Sequence, residues 1–245
     1  MKAMILAAGL GTRLRPLTDD RPKALVTVNG RTLLEICVER LRGQGITEII
    51  VNTHHFSDMV AGYLAEKRNF GMRIEISREE ELLDTGGGLK QAAWFFLEGD
   101  RDEPFLVHNV DVISTIDLAA MLAQHRQRRA LASLAVQSRA STRALLFDEH
   151  GQLCGRSAGP EGRPELIRAV ENPLQRAFCG IHVVSPRLLD QLEEQCGFPI
   201  VPAYLRLAKS GAKIEAFDAD AWRWRDLGRL ESLAAAAQET WGGAA

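Results

Sequence analysis

Over the first 130 residues, short apolar runs alternate with segments whose apolar residues recur at helical spacing. Strands are predicted at 2–7, 48–52, 73–77 and 104–107, and helices at 32–41, 57–66, 91–97 and 117–128, the third helix beginning in the glycine run before it. Ser57 is the expected N-cap of the second helix. Strand–helix alternation at this spacing predicts right-handed βαβ units and a mostly parallel sheet with helices on both faces.

After residue 130 the pattern changes, and strands follow one another with fewer helices between them. Strands are predicted at 132–136, 143–147, 180–184 and 214–218, and helices at 186–195, 200–210 and 230–241. The tripeptide Glu-His-Gly at 149–151 favours a hairpin turn, and residues 154–164 read as an exposed, mobile loop. No internal repeat and no long linker interrupts the sequence, so a single domain over 1–245 is expected.

The composition is that of an ordinary soluble protein, with 46% apolar and 25% charged residues and a formal net charge of −2. No basic excess indicates nucleic acid, and no basic amphipathic helix indicates a membrane surface. No apolar stretch approaches the roughly 18 residues of a spanning helix. The four cysteines are scattered without a CxxC pair, so they predict reduced thiols in a cytoplasmic protein.

A glycine-rich, cationic loop, AAGLGTRLRPLTDDRPKAL at 7–25, follows the first predicted strand directly. Ligands of open α/β sheets bind at the carboxyl ends of the strands. Gly9 and Gly11 permit positive φ and close approach of backbone N–H groups to an anion, while Arg13 and Lys23 supply charge suited to phosphate. Leu14 stands where a dinucleotide fingerprint has its third glycine, and no Walker A ending is present. The loop therefore predicts a phosphate site of another kind.

A second glycine run, DTGGG at 84–88, precedes a helical pattern. Three successive glycines weaken regular structure, which predicts that the backbone here lies close to a ligand. The structural alternative is a flexible loop with an N-cap at Asp84 or Thr85.

An aspartate, Asp111, ends the segment FLVHNVD at 105–111. It follows an apolar strand and faces the predicted phosphate site, which makes it a candidate Mg²⁺ ligand. The alternative is a loop aspartate that caps the following turn. Because Mg²⁺ usually takes one or two carboxylates plus phosphate oxygens, a second acid is expected nearby.

The pattern LAAGLGTRLRPLT, followed by Pro-Lys at 22–23, resembles the signature of the sugar-1-phosphate nucleotidyltransferases, most of all the short N-acetylmuramate-1-phosphate uridylyltransferase and mannose-1-phosphate guanylyltransferase types. The resemblance implies an α/β fold with a Rossmann-like, mixed, mostly parallel sheet flanked by helices. It implies an enzyme that joins UTP or GTP to a sugar 1-phosphate by Mg²⁺-dependent in-line attack on the α-phosphorus, releasing pyrophosphate. It also implies a nucleotide part at about 1–130, a sugar part at about 131–245, and a role in cell-wall nucleotide-sugar synthesis.

The same resemblance assigns roles to individual residues. Arg13 and Lys23 become the catalytic cations, and Mg²⁺ is held by Asp111 and by Asp226, the latter from WRDLG at 224–228. The substrate-binding residues implied are Ala8, Gly9, Gly11, Thr12, Gly86, Gly87, Asn109, Glu171 and Gly180.

Two positions depart from the family pattern. Val110 stands where a glycine is usual before the metal aspartate, and Asn172 lies near the place of a lysine that contacts the sugar phosphate in many members. A β-branched residue resists the backbone angles that glycine tolerates. Arg168, Arg176 or Arg223 could replace the missing lysine, or the change marks a different substrate branch.

Other functions remain open from the sequence. A regulatory protein could keep the nucleotide pocket without turnover, and a cytidylyltransferase for phosphocholine or a molybdenum-cofactor enzyme carries a similar opening loop. A nicotinamide-dependent Rossmann protein is disfavoured by the missing third glycine. The sequence leaves the base, the sugar and the existence of a homodimer undecided.

Overall fold

The computed structural model describes residues 1–157, 164–239 and 241. The strands within these ranges are β1 (Lys2–Leu6), β2 (Thr27–Val28), β3 (Arg31–Thr32), β4 (Glu48–Thr53), β5 (Arg73–Arg78), β6 (Phe105–Asn109), β7 (Val112–Ser114), β8 (Ala132–Gln137), β9 (Leu145–Phe147), β10 (Leu153–Arg156), β11 (Glu165–Leu166), β12 (Leu174–Val184), β13 (Ile214–Asp218) and β14 (Trp224–Asp226). The α-helices are α1 (Leu33–Gly43), α2 (Ser57–Glu66), α3 (Asp84–Gln91), α4 (Ala93–Leu97), α5 (Leu118–Arg128), α6 (Ile200–Lys209) and α7 (Leu230–Ala237).

A ten-stranded mixed sheet forms the centre, and its first half is parallel. The strands β6, β1, β4 and β5 lie side by side in that order and all run in the same direction. The second half is organised by β12, which pairs antiparallel with β6, β8 and β9, while β13 runs parallel to β8. The predicted fold class, a mixed and mostly parallel sheet flanked by helices, is confirmed.

Side-chain alternation along β1 divides the core into two layers. Ala3 and Ile5 face the layer covered by α1, α2, α5 and α7, whereas Met4 faces the layer covered by α3, α4 and α6. In β4, Ile49 and Ile50 divide in the same way. Because both faces of the central strands are covered, these strands read as continuous apolar runs in the sequence.

Local signals explain most element boundaries. Thr32 caps α1 by accepting a hydrogen bond from Glu35 N at 3.0 Å, and Asp117 caps α5 through Ala120 N at 2.9 Å. The predicted cap of α2 is wrong. Phe56 occupies the N-cap position in the left-handed region, and the Ser57 hydroxyl bonds instead to Thr53 Oγ1 at 2.7 Å.

Further expectations differ from the structure; the strand expected at 180–184 begins at Leu174, and the helix expected at 230–241 ends at Ala237. The helix expected to continue from the glycine run is two helices, α3 and α4, separated at Ala92. The helix expected at 186–195 is a shorter 3₁₀ segment, Pro186–Gln191. The predicted loop at 154–164 begins inside β10, and its centre, residues 158–163, lies outside the described residues. The hairpin turn at 149–151 is confirmed by antiparallel pairing of β9 with β10. Within the described part of the chain, no helix is long and apolar enough to cross a membrane.

Two buried histidines predict how stability responds to acid. Burial lowers the pKa of His125 to about 4 and that of His182 to about 3. Ser133 and Ser185 hydroxyls lie 2.9 and 3.0 Å from the His125 ring nitrogens. An unfolded histidine has a pKa of about 6.5, so below that pH the unfolded chain binds more protons than the folded one. The contribution of the two neutral histidines to the free energy of unfolding is therefore complete above pH 6.5. It is lost as the pH falls toward 4 for His125 and toward 3 for His182.

We expect the free energy of unfolding to fall between pH 7 and pH 5 by about 2 kcal/mol for each of these histidines. Urea denaturation at the two pH values measures this change. His182→Gln should reduce the pH dependence, whereas His150→Gln should retain it because the His150 side chain is 74% exposed. An unchanged pH dependence in His182→Gln would contradict the assignment.

Candidate active site

The opening loop lies at the carboxyl end of β1, a strand in the parallel half of the sheet. Gly11 has φ +66° and precedes a 3₁₀ turn, Thr12–Leu14. A Cβ on Gly11 would lie 2.9 Å from Thr18 Cγ2 and 3.1 Å from Lys23 Cβ, so the loop closes on itself at this point. Gly9 is exposed, does not have positive φ, and a Cβ there would contact nothing within 4 Å. Only Gly11 uses the conformational freedom that was expected of both.

A buried polar bridge, missed by the sequence analysis, links this loop to α3. Ala7 N donates to Asn52 Oδ1 at 2.7 Å, and Asn52 Nδ2 donates to Glu79 Oε1 at 2.7 Å. The other carboxylate oxygen of Glu79 accepts from Leu83 N at 3.0 Å. A Cβ on Gly88 would lie 2.6 Å from both Asn52 Nδ2 and Glu79 Oε1, so glycine is required beside the bridge.

The other glycines of the second run pack against the protein itself. A Cβ on Gly86 would lie 2.3 Å from Phe198 Cε2, and one on Gly87 would lie 3.1 Å from Cys196 O. The N–H groups of Gly86 and Gly87 both donate to Phe198 O, at 2.9 and 3.1 Å. These contacts account for the glycines within the fold, and contact of Gly86 and Gly87 with a nucleotide stays a prediction. The run forms the first turns of α3 and is not a loop.

The two predicted metal ligands lie together because of a short antiparallel ribbon. Asp226 in β14 pairs with Val112 in β7, and Asp111 immediately precedes that residue. Leu227 N donates to Asp111 O at 2.7 Å, which closes the ribbon. The structure thus brings two carboxylates, more than a hundred positions apart in the sequence, together beyond the carboxyl end of β6.

Four charged groups converge beside Gly228. A Cβ on this residue would lie 2.7 Å from Asp226 Oδ1, 2.9 Å from Arg13 Nη2 and 3.1 Å from Asp111 Oδ2. Lys23 Nζ donates to Asp111 Oδ2, and both side chains of this pair are close to nine-tenths buried. The predicted cations and acids are therefore assembled, and Gly228, which the sequence analysis did not single out, leaves the space in which they meet.

The valine before Asp111 fits the backbone without strain. Val110 N donates to Leu6 O at 3.1 Å, and Val110 is not among the residues with positive φ. Its side chain is buried in the core. The neighbouring His108 is also buried, which lowers its pKa to about 4 and keeps it neutral. Val110 therefore leaves the position of the aspartate undisturbed.

A cavity of about 1440 Å³ extends from the two acids toward the second half of the sheet. Its lining includes Arg13, Asn109, Gly180 and Asp226. Gly180 has φ +71° at an irregularity of β12, and a Cβ there would lie 2.6 Å from Asn109 Nδ2. These two predicted substrate residues are adjacent. Glu171 is exposed in the bend before β12 and is not among the described residues that line the cavity, so its role stays a prediction.

Gly88→Ala should lower the free energy of unfolding by about 2 kcal/mol, because the added methyl group crowds the Asn52–Glu79 bridge. The matched control is Gly62→Ala, an exposed position inside α2 where a Cβ contacts nothing within 4 Å. That change should raise stability by about 0.5–1 kcal/mol. Urea denaturation of both variants measures the difference, and equal effects would argue against the bridge.

Comparisons with known proteins converge on one group. A family profile described as nucleotidyl transferase matches residues 2–145. The N-acetylmuramate alpha-1-phosphate uridylyltransferase of Caulobacter vibrioides is 34% identical, with 85% of each chain covered. The mannose-1-phosphate guanyltransferase of Neurospora crassa is 30% identical over 94% of this chain. The present chain spans 61% of that relative's length.

Solved structures show the same fold. A putative glucose-1-phosphate thymidylyltransferase from Bacillus anthracis superposes with a TM-score of 0.78 at 20% identity, covering 99% of this chain and 97% of the other. A UDP-glucose pyrophosphorylase from Acinetobacter baumanii gives a TM-score of 0.78 at 21% identity, covering 96% and 91%. At these identities the likeness establishes the architecture alone.

Proposed function

Because the chain belongs to the nucleotidyl transferase family, we propose that it joins a nucleoside triphosphate to a sugar 1-phosphate, giving a nucleotide-sugar and pyrophosphate. The observation that carries this proposal is the meeting of Arg13, Lys23, Asp111 and Asp226 beside Gly228 at the mouth of a large cavity. Two acids and two cations at one point suit a polyphosphate bound with a metal ion.

The two carboxylates fit a magnesium ion. Members of the family generally use divalent metal ions. Among the described residues no group of three or more His, Cys, Asp or Glu side chains forms a metal cluster. Mg²⁺ is commonly held by one or two carboxylates together with substrate phosphates, and Asp111 and Asp226 offer such a pair. When bound there, Mg²⁺ would supply positive charge against the phosphate oxygens.

The protein's own cations do the remaining electrostatic work. An oxygen of the sugar phosphate attacks the α-phosphorus of the triphosphate and forms a new P–O bond. The bond between the α-phosphorus and the oxygen that links it to the β-phosphorus breaks, and pyrophosphate leaves with that oxygen. The nucleophile is already an anion, so the step needs no general base. It needs alignment and charge neutralisation, which Arg13 and Lys23 supply. Lys23 also neutralises Asp111 in the described structure.

The remaining predicted residues divide between the two substrates. We assign Ala8, Gly9, Gly11 and Thr12 to the triphosphate, with Gly86 and Gly87 beside the nucleoside, in a nucleotide part at about 1–130. Asn109, Glu171 and Gly180 belong to the sugar side, most of which lies in 131–245. The single catalytic domain is supported by β12, which pairs with strands of both parts.

Uridine is the base we favour, with guanosine second. The uridylyltransferase from Caulobacter aligns over 85% of its length, whereas the guanyltransferase from Neurospora aligns over 61% of its length. We also propose that this synthesis is cytoplasmic and that its nucleotide-sugar serves the cell wall; the first relative, named an N-acetylmuramate alpha-1-phosphate uridylyltransferase, supports this class of product.

A thermal-shift screen tests the nucleotide. With Mg²⁺, UTP at 100 times its dissociation constant should add about 2.7 kcal/mol of stability. The same titration with GTP, CTP, ATP and NADH provides the comparison. Stabilisation by none of the triphosphates would contradict the proposal, and stabilisation by CTP alone would favour the cytidylyltransferase alternative.

Asp111→Asn and Asp226→Asn should each lower pyrophosphate release by about 100-fold or more, because each removes one charge that would hold the metal. Mn²⁺ affinity in the presence of a non-hydrolysable triphosphate, measured calorimetrically, should fall about 10-fold or more. Asp190→Asn, an exposed acid in the segment Pro186–Gln191, is the control and should change neither quantity. Turnover like that of the wild type in either site variant would refute the metal assignment.

A further inference from the structure

A sugar 1-phosphate brings a doubly charged group into the cavity, and this charge needs a cation of its own. The arginines considered from the sequence do not provide it. Arg168 donates to Asp148 Oδ2 at 2.7 Å, and Arg223 donates to Glu239 Oε2 at 2.8 Å. Neither these two nor Arg176 is among the described residues that line the cavity.

Arg139, which follows β8, lines the cavity and is held in place by the protein. Its guanidinium carbon lies 3.8 Å from the centre of the Trp224 ring, and its Nη2 donates to Phe178 O at 2.8 Å. Its Nε is buried and has no hydrogen-bond partner among the described residues. A guanidinium fixed by stacking loses little freedom on binding an anion.

The position of Trp224 relates Arg139 to the metal acids. Trp224 Nε1 donates to Cys179 O at 2.7 Å, which fixes the indole ring. Trp224 and Asp226 are two residues apart in β14, so both side chains point to the same side of that strand. Two residues of extended strand span about 7 Å. A phosphate bound by Arg139 would therefore lie on the side of β14 toward which Asp226 points.

The charge of the cavity wall supports an anionic ligand. Among the described residues the lining contains six arginines, Arg13, Arg139, Arg143, Arg156, Arg225 and Arg229, and two acids, Glu165 and Asp226. Arg156 pairs with Glu165, and Arg225 pairs with Glu239. Arg143 and Arg229 are exposed, and Arg13 lies beside the metal acids. Arg139 is the cation of this wall that is both partly buried and held by stacking.

We propose that Arg139, stacked on Trp224, binds the phosphate of the sugar 1-phosphate and is a substrate-binding residue of the reaction. This inference rests on the proposed function. Arg139 places the attacking phosphate on the sugar side of the cavity, while Arg13 and Lys23 serve the triphosphate.

Steady-state kinetics of Arg139→Gln and Arg139→Lys test the role. In Arg139→Gln the KM for the sugar 1-phosphate should rise about 10- to 100-fold, while the KM for the triphosphate stays within about twofold. Arg139→Lys should lie between, because lysine keeps the charge but not the planar fork. Calorimetry of the sugar 1-phosphate with a non-hydrolysable triphosphate and Mg²⁺ should show the same loss of affinity, and thermal-shift binding of the triphosphate alone should be unchanged.

Arg176→Gln is the matched control, since Arg176 belongs to β12 but is absent from the described lining of the cavity. Its KM values should match those of the wild type. Wild-type KM for the sugar 1-phosphate in Arg139→Gln, or equal losses for both substrates, would overturn the proposal. A loss confined to sugar phosphates that carry a carboxylate would also overturn it, because Arg139 would then recognise that carboxylate. Absence of pyrophosphate release from the wild-type protein with every sugar phosphate would instead refute the proposed function itself.

Discussion

Repulsion between Asp111 and Asp226 is the constraint on which the site depends. Two unit charges about 4 Å apart near a protein surface repel by about 4 kcal/mol. The β7–β14 ribbon holds the two acids together through backbone pairing, and Lys23 and Arg13 offset their charge. Gly228 leaves room for all four groups. The fold itself therefore brings the four groups together, which supports the proposal that a cation and a polyphosphate bind among them.

Much of the first half of the fold could be predicted from the sequence. Apart from the helix that is α3 and α4, the strands and helices predicted before residue 130 lie within about two residues of their observed bounds, because both faces of the parallel strands are covered and each helix buries one stripe. The short strands β2, β3 and β7 were not predicted. The motif around Gly11 gave the family and the class of reaction, and both predictions are confirmed. The expectation that Asp226 and Asp111 lie close together came from the family resemblance. No local periodicity in the sequence indicates it.

The remaining features depend on contacts between distant segments. The strands β7 and β14 have three residues each, too few to show a period of two. The Asn52–Glu79 bridge joins two residues whose local sequence gives no sign of a contact between them. The glycine at position 88 is explained only by that bridge. Arg139 was not predicted either, because an arginine after a strand is common in sequences. Its stacking on Trp224 is a contact between distant segments that only the structure shows.

The strand β12 joins the parallel half of the sheet to the second half. Of its eleven residues, 181–184 pair with β6 in the parallel half and 174–176 pair with β9. Among the described residues, β9, β10 and β11 join the sheet through the pairing of β9 with β12, and Gln152 in the β9–β10 turn also bridges to Glu215 of β13. Insertions or exchanges in β9, β10 and β11 would reshape the wall of the cavity while leaving the pairing of β6, β1 and β4 intact. The architecture thus separates these outer strands from the parallel strands that position Asp111 and the glycine-rich loop.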